Sequence, residues 1–198
     1  AGLPVSVPCM TINKVCGSGL KSVMLADQAI RCNDAEIVVA GGMESMSNAP
    51  YFVKKARTGF KMGNVELIDL MIHDGLWDVF NQIHMGNAGE LCASECNISR
   101  EEQDEYAIMS YKRAIEATEK GWFAEEIVPV EIEDKKGKTV VDKDEEPFKV
   151  NFEKIPQLKP VFKKDGTVTA ANASSIDDGA SAVVVASESI AEQKGLKP

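Results

Sequence analysis

Histidine is scarce: the 198 residues hold only His73 and His84. Cys92 and Cys96 share a helical spacing, but a tetrahedral metal centre needs more ligands than this pair and two scattered histidines offer, so no metal site is expected. The five cysteines, Cys9, Cys16, Cys32, Cys92 and Cys96, are an odd number in a chain of ordinary size. That argues against a disulfide scaffold and for a reducing compartment. No apolar run approaches 18 residues, which removes a membrane-spanning helix from consideration. The first twenty residues lack the charged-then-apolar order of a secretory signal. Basic residues are outnumbered, 22 against 31 acidic, for a net charge of -9, which argues against bare nucleic acid as a partner. Gly-x-Ser-x-Gly, Gly-x-Gly-x-x-Gly and the P-loop are all missing, and with them the signatures of serine hydrolase, dinucleotide and nucleotidase chemistry. Internal repeats and low-complexity tracts are missing too.

What remains is a chain with 44% apolar and 27% charged residues and an α/β rhythm at its two ends. Val5 to Thr11 predicts a strand, Ser18 to Arg31 a helix with Leu20, Val23, Met24 and Ile30 on its apolar face, and Glu36 to Ala40 a strand buried on both faces. Gly41-Gly42 is expected to close that strand, and the three elements to form a parallel βαβ unit. The pattern loosens from Ser45 to Gly63, Leu67 to Ile72 predicts a short helix, and helical pattern returns from His84 to Cys96. Ser99 with Glu102 three residues on is a capping box for a helix to Lys120, stopped by Gly121. Strands are expected at Glu126 to Glu133 and Thr139 to Val141 around the turn Asp134 to Gly137. Asp142 to Pro160, acidic and proline-bearing, reads as surface. A buried strand follows at Ala182 to Ala186, and Ser187 caps a last helix to Lys194, stopped by Gly195. Residues 1–47 and 168–198 therefore read as parts of one layered core, with 48–167 as a mixed α+β loop domain inserted between them.

Cys16 is the main chemical candidate. It stands between the expected strand and helix, followed by Gly17-Ser18-Gly19. The first turn of a helix presents free N–H groups and the positive end of the dipole, a setting that favours a thiolate nucleophile. On spacing alone, a buried core cysteine beside a tight turn fits better than a nucleophile. His84, in Ile83-His84-Met85-Gly86, could line a pocket or be an ordinary structural histidine, whereas His73 reads as surface. Gly41-Gly42-Met43-Glu44-Ser45 either faces a ligand crevice or simply turns. The lysines and arginine at 54, 55, 57, 61, 149, 159, 163 and 164 could form a local phosphate-binding rim in an acidic chain. Met43, Met46, Met62, Met71 and Met85 read as packing.

Five segments in order resemble the thiolase family: Asn13-Lys14-Val15-Cys16-Gly17-Ser18-Gly19, Val39 to Ser47, His84-Met85-Gly86, Gly166 to Ser174 and Asp177-Asp178-Gly179-Ala180. The likeness spans the whole chain and is nearest to the short-chain acetoacetyl-CoA thiolases, or acetyl-CoA C-acetyltransferases. It implies a layered α/β/α core, present in part, and ping-pong acetyl transfer through acetyl-Cys16. It implies His84 and Met85 in a small acyl pocket, Ser174 at the pantetheine arm of CoA, Phe162 near its adenine end and Lys149 on the CoA side. The implied partners are acetyl-CoA, acetoacetyl-CoA and CoA, with no nucleic acid or membrane, in a homodimer or homotetramer. No tightly bound cofactor is implied. A potassium region is implied at Ala170, Ala171, Ala173 and Ser174, weakened by Pro147, where some relatives carry a tyrosine. Localisation would be cytoplasmic in a bacterium, and mitochondrial or cytosolic in a eukaryote.

The family's Asn-Glu-Ala-Phe motif, Gly-His-Pro histidine and second Cys-x-Gly cysteine do not occur in these residues. The chain is therefore expected to be an internal part of a thiolase, lacking its first strands and C-terminal domain, and inactive alone. A fatty-acid or polyketide-type condensing enzyme is the alternative enzyme. A non-catalytic CoA- or lipid-binding protein on the same fold is the alternative of another class, and it would not need Cys16.

Overall fold

The computed structural model describes residues 2–135 and 137–197. In chain order its elements are α1 (Ser18–Arg31), β1 (Ile37–Ser45), β2 (Tyr51–Phe52), β3 (Ile68–Asp69), β4 (Trp77–Asp78) and β5 (Ile83–His84). They continue with α2 (Met85–Glu95), α3 (Arg100–Glu119), β6 (Val130–Asp134), β7 (Gly137–Val141), α4 (Glu146–Lys149), β8 (Asp178–Ala186) and α5 (Glu188–Lys194). The chain divides into two compact units, residues 1–76 with 176–198, and residues 77–175. No helix among the described residues is long and apolar enough to cross a membrane.

In the first unit the dominant pairing is antiparallel, β1 against β8, in register from Ile37 opposite Ala186 to Ser45 opposite Asp178. This corrects the expected parallel βαβ unit. Residues 5–11 form no strand. Pro8 removes a ladder donor in the middle of that run, and Val5 stands fully exposed. Nor do Gly41 and Gly42 end β1, which runs through both to Ser45. The two glycines are there because of close approach. A Cβ on Gly41 would fall 2.2 Å from the Ser181 carbonyl oxygen, and one on Gly42 would lie 3.3 Å from Gly19 Cα of α1. The helix rests directly on the strand there, and the Ser22 hydroxyl donates to the Gly41 carbonyl at 3.0 Å. Neither strand is buried on both faces: Val39, Met43 and Val184 are largely exposed, and Ala40 is the buried position of β1. The end of the unit follows the sequence closely. The Ser187 hydroxyl accepts from Ile190 N–H, and Gly195 ends α5 in the left-handed region at φ 63°.

In the second unit the reciprocal capping box of Ser99 and Glu102 starts α3 as its sequence requires. The hairpin β6–β7 is shorter at its start than expected, opening at Val130. Lys136, within the expected turn, lies outside the described residues. Two other segments depart from expectation. Residues 67–72 of the first unit are not one helix: β3 is followed by a π-helical turn over Met71–Gly75, which the Asp69 side chain opens by accepting from Met71 N–H at 2.9 Å. The stretch 142–160 is not all surface. Its 3-10 turn Phe152–Gln157 carries Ile155, 1% exposed, because the Asn151 side chain caps the turn and points the one aliphatic residue inward.

Candidate active site

In the first unit, Cys16 sits in a turn held by its neighbours' side chains. The Asn13 carboxamide oxygen accepts from Val15 N–H at 2.8 Å. The Ser18 hydroxyl accepts from Lys14 N–H at 2.8 Å and donates to the Val15 carbonyl at 2.7 Å. The N–H groups of Gly17 and Ser18 close onto the carbonyls of Lys14 and Val15. Val15 is driven to φ 50°, the left-handed region that a β-branched residue avoids. The result is an exposed thiol two residues before α1 begins. The same unit joins two more of the singled-out motifs. Met43, Glu44 and Ser45 pair with Ala180, Gly179 and Asp178. The Asp178 carboxylate takes the Ser47 hydroxyl and, at 2.9 Å, its N–H. These bonds, the hydroxyl's first, hold the Asp178 carboxyl below its ordinary value.

In the second unit, His84 caps α2, with Nδ1 accepting from Gly86 N–H at 3.0 Å. In the neutral ring this places the proton on Nε2 and leaves Nε2–H as a donor. The ring stacks on Phe162, 4.9 Å between centroids and 22° between planes. Gly86 has to be glycine: a Cβ would come within 2.4 Å of the Phe162 ring. Met85, next to this stack in sequence, is half exposed. Ser174, Ala171 and Ala173 line a cavity of about 300 Å³ with Pro147, Tyr111, Ser110 and Asn172. Ala170 is exposed beside them in sequence. Lys149 lies on the surface in an ion pair with Glu145 at 2.7 Å. Of the expected site residues, the structure thus brings His84 and Phe162 together, gathers Ala171, Ala173, Ser174 and Pro147 around one cavity, and places Cys16 in the other unit.

Sequence reasoning missed what holds the 161–174 segment. The Glu90 carboxylate, 7% exposed, accepts from Thr167 N–H, Val168 N–H and the Thr167 hydroxyl at 2.9 to 3.1 Å. A Cβ on Gly166 would fall 2.3 Å from its Oε1. Asp104 accepts from Arg100 at 2.7 Å and from the Asn172 carboxamide at 3.0 Å, and Asn172 in turn accepts from Thr169 N–H at 2.7 Å. A signal was present in each helix. Glu90 shares a face with Gly86 and Ala93, and Asp104 with Ala107 and Ile108, although Asn87, Ser94 and Arg100 on the same faces dilute that signal.

Burial pushes the Glu90 carboxyl up, but the N–H groups of Val168 and Thr167, the Thr167 hydroxyl and the charge of Lys163 together outweigh it and hold the group below its ordinary 4.5. The sign follows from linkage: a depressed folded pKa contributes stability that is present above 4.5 and lost as pH falls through the folded value. Protection of the Thr167 and Val168 amides, measured against their intrinsic exchange rates at each pH, should therefore be high at neutral pH and fall on acidification below 4.5. In Glu90→Gln exchange should already be fast at pH 7 and carry no such acid step. Equal acid response in both proteins would refute the assignment.

The sequence profile of the thiolase N-terminal domain matches residues 1–189. Over 198 residues the chain is 53% identical to an acetyl-CoA acetyltransferase of Pseudomonas aeruginosa, with 99% of this chain and 50% of the relative covered. Over 200 residues it is 52% identical to a mitochondrial acetyl-CoA acetyltransferase of Mus musculus, with 100% of this chain and 47% of the relative covered. The crystal structure of human mitochondrial 3-ketoacyl-CoA thiolase superposes with a TM-score of 0.92 at 43% identity, over 100% of this chain and 50% of that one. The chain thus spans about half the length of the curated relatives it matches.

Proposed function

This chain belongs to the thiolase family, and from that premise we propose that it supplies the nucleophile and acyl pocket of an acetyl-CoA C-acetyltransferase. The observation that carries the reading is the exposed Cys16 thiol, presented at the start of α1 by a turn that Asn13 and Ser18 hold in place. In the cleavage direction the Cys16 thiolate attacks the keto carbon of acetoacetyl-CoA. The carbon–carbon bond breaks, acetyl-CoA leaves as its enolate and takes a proton, and the acetyl group stays on sulfur. The thiol of CoA then gives up its proton, which balances the one taken by the enolate, attacks the acetyl-Cys16 carbonyl and returns the free thiolate. Charge gathers on the carbonyl oxygen in both steps, so N–H donors aimed at it lower both barriers. Gly17 and Ser18 spend theirs within the turn, which leaves the N–H groups of Cys16, Gly19 and Leu20 as donors from this segment.

His84 and Met85 serve as walls of a small acyl pocket, with His84 Nε2–H available to a substrate oxygen. Ser174 serves the pantetheine arm of CoA, Phe162 packs near its adenine end, and Lys149 lies on the CoA side. Ser110, Ala171, Ala173 and Ser174 line one cavity with Pro147, which carries no hydroxyl. Those residues would hold potassium, whose charge would order the 170–174 segment. We keep 1–47 and 168–198 as core and 48–167 as loop domain. The apolar exposure of Val39, Met43 and Val184 supports assembly of the whole protein as a homodimer or homotetramer.

The family's proton-transferring histidine and second cysteine are not among these residues. The purified chain, mixed with acetyl-CoA and digested, should therefore carry one acetyl group on the Cys16 peptide without multiple turnover in a thiolysis assay. Labelling spread evenly over all five cysteines would count against the nucleophile, and near-family turnover would count against the missing partners.

A further inference from the structure

Residues 161–168 form a loop with no helix or strand of its own, yet it carries the Phe162 ring that lies on His84. Its own backbone bonds fold it back on itself. Val161 N–H donates to the Val168 carbonyl at 3.0 Å, and Gly166 N–H to the Lys163 carbonyl at 3.1 Å. Those bonds give the loop its shape and leave its place on α2 open.

Three positions on one face of α2 settle that place, 86, 89 and 90. Gly86 lies under the Phe162 ring, where a Cβ would clash, and a Cβ at Gly89 would meet Val168 Cγ2 at 3.5 Å. These two contacts only admit the loop. The buried Glu90 carboxylate binds it through both oxygens. Oε1 accepts from Thr167 N–H at 3.0 Å and from Val168 N–H at 2.9 Å, and Oε2 from Thr167 N–H at 2.9 Å and the Thr167 hydroxyl at 3.1 Å. Hydrogen bonds are directional, so they fix the loop's register on the helix. Because Val161 is bonded to Val168, holding 167 and 168 also holds 161 and the ring on the next residue. On the other side of the stack, Gly86 N–H engages His84 Nδ1 and sets the tautomer. The plane of the imidazole is set by what lies against it, the Phe162 ring at 22°.

We infer that Glu90 is a positioning residue for His84: by gripping Thr167 and Val168 it seats Phe162 on the imidazole and so aims Nε2–H. Its effect on turnover rests on the acyl-pocket role proposed for His84, whereas its effect on the ring does not.

The chain has only two histidines, so both imidazoles can be followed by NMR. At about pH 8, where an ordinary imidazole is neutral, the His84 ring protons of the purified chain should be displaced by the phenyl ring current, and Phe162→Ala should abolish the displacement. Glu90→Gln keeps one acceptor oxygen where the loop uses two, and should remove most of the same displacement. His73, which lies in the other unit against Phe52, should keep its signals. Unmoved His84 signals in Glu90→Gln would overturn the inference. Where Glu90→Gln unfolds the chain, His73 moves as well, and Thr167→Val, which removes one donor and leaves the carboxylate, decides instead. It should move His84 part of the way towards its position in Phe162→Ala, and no movement would overturn the inference. In a protein that carries this chain within the full family length, Glu90→Gln should lower kcat/KM for acetoacetyl-CoA about 10- to 100-fold, and lower it little further once residue 162 is alanine. Additive losses would overturn the route through Phe162. A moved His84 ring with unchanged kcat/KM would support the hold on the ring and count against the pocket role proposed for His84.

Discussion

Cys16→Ala in a protein that carries this chain within the full family length should lower acetoacetyl-CoA thiolysis by at least about 10⁴-fold. On the proposed reading the acetyl group is carried on the Cys16 sulfur, which this substitution removes. Cys9 and Cys32 are exposed as well, but neither is held at the entrance to a helix by a turn like that of Asn13 to Ser18. Cys16→Ser should fare little better, because a hydroxyl ionises far less readily than a thiol and is the weaker nucleophile at neutral pH. Both variants should retain the fold, since the turn is held by Asn13 and Ser18 side chains and by backbone bonds, none of which uses the Cys16 sulfur. The measurement is thiolysis together with acetyl incorporation at residue 16, with circular dichroism as the control for folding. Retention of a tenth of the activity in Cys16→Ala would remove the proposed role.

Gly41→Ala should be the most damaging single substitution to stability. Its Cβ would stand 2.2 Å from the Ser181 carbonyl oxygen and 2.9 Å from Ala182 Cα, both backbone atoms of the paired strand. No rotamer relieves a clash with backbone, so β1 and β8 must part locally, and the expected cost is about 3 kcal/mol or more. Gly42→Ala meets Gly19 Cα at 3.3 Å, which a small shift of α1 can accommodate, so it should cost about 1–2 kcal/mol. Gly179, on the partner strand, has nothing within 4 Å of such a Cβ, and Gly179→Ala should be close to neutral. Urea unfolding of the three variants should rank them in that order. A Gly41→Ala midpoint equal to that of the parent chain would contradict the β1–β8 register.

How much of this was legible beforehand follows from how local each signal is. The Ser99–Glu102 box and the Ser187 to Gly195 frame state both ends of their helices within a few residues, and α3 and α5 form where they say. The thiolase motifs were readable as words, and the family match bears out the family they name. The partner of β1 was not readable. It lies more than 130 residues along the chain, and Gly41-Gly42 reads as a turn until the Ser181 carbonyl is seen pressing on it. The roles of Glu90 and Asp104 went unread, because donors that satisfy them come from residues 167, 168 and 172, far along the chain. Ile155 was hidden by its charged neighbours, although the Asn151 cap that turns it inward is a local signal that composition obscures.

The backbone of Val15 has a consequence for how this sequence can change. A β-branched residue at φ 50° costs on the order of 1–3 kcal/mol, a deficit offset by the Asn13 and Ser18 side-chain bonds that flank it. Positions 13, 15 and 18 therefore do not vary as independent letters. A glycine at 15 would make the bonds from 13 and 18 dispensable, and the loss of either bond would make valine at 15 hard to keep. Substitutions at 13, 15 and 18 should therefore be non-additive in their effect on stability, the turn that presents the thiol behaving as one energetic unit.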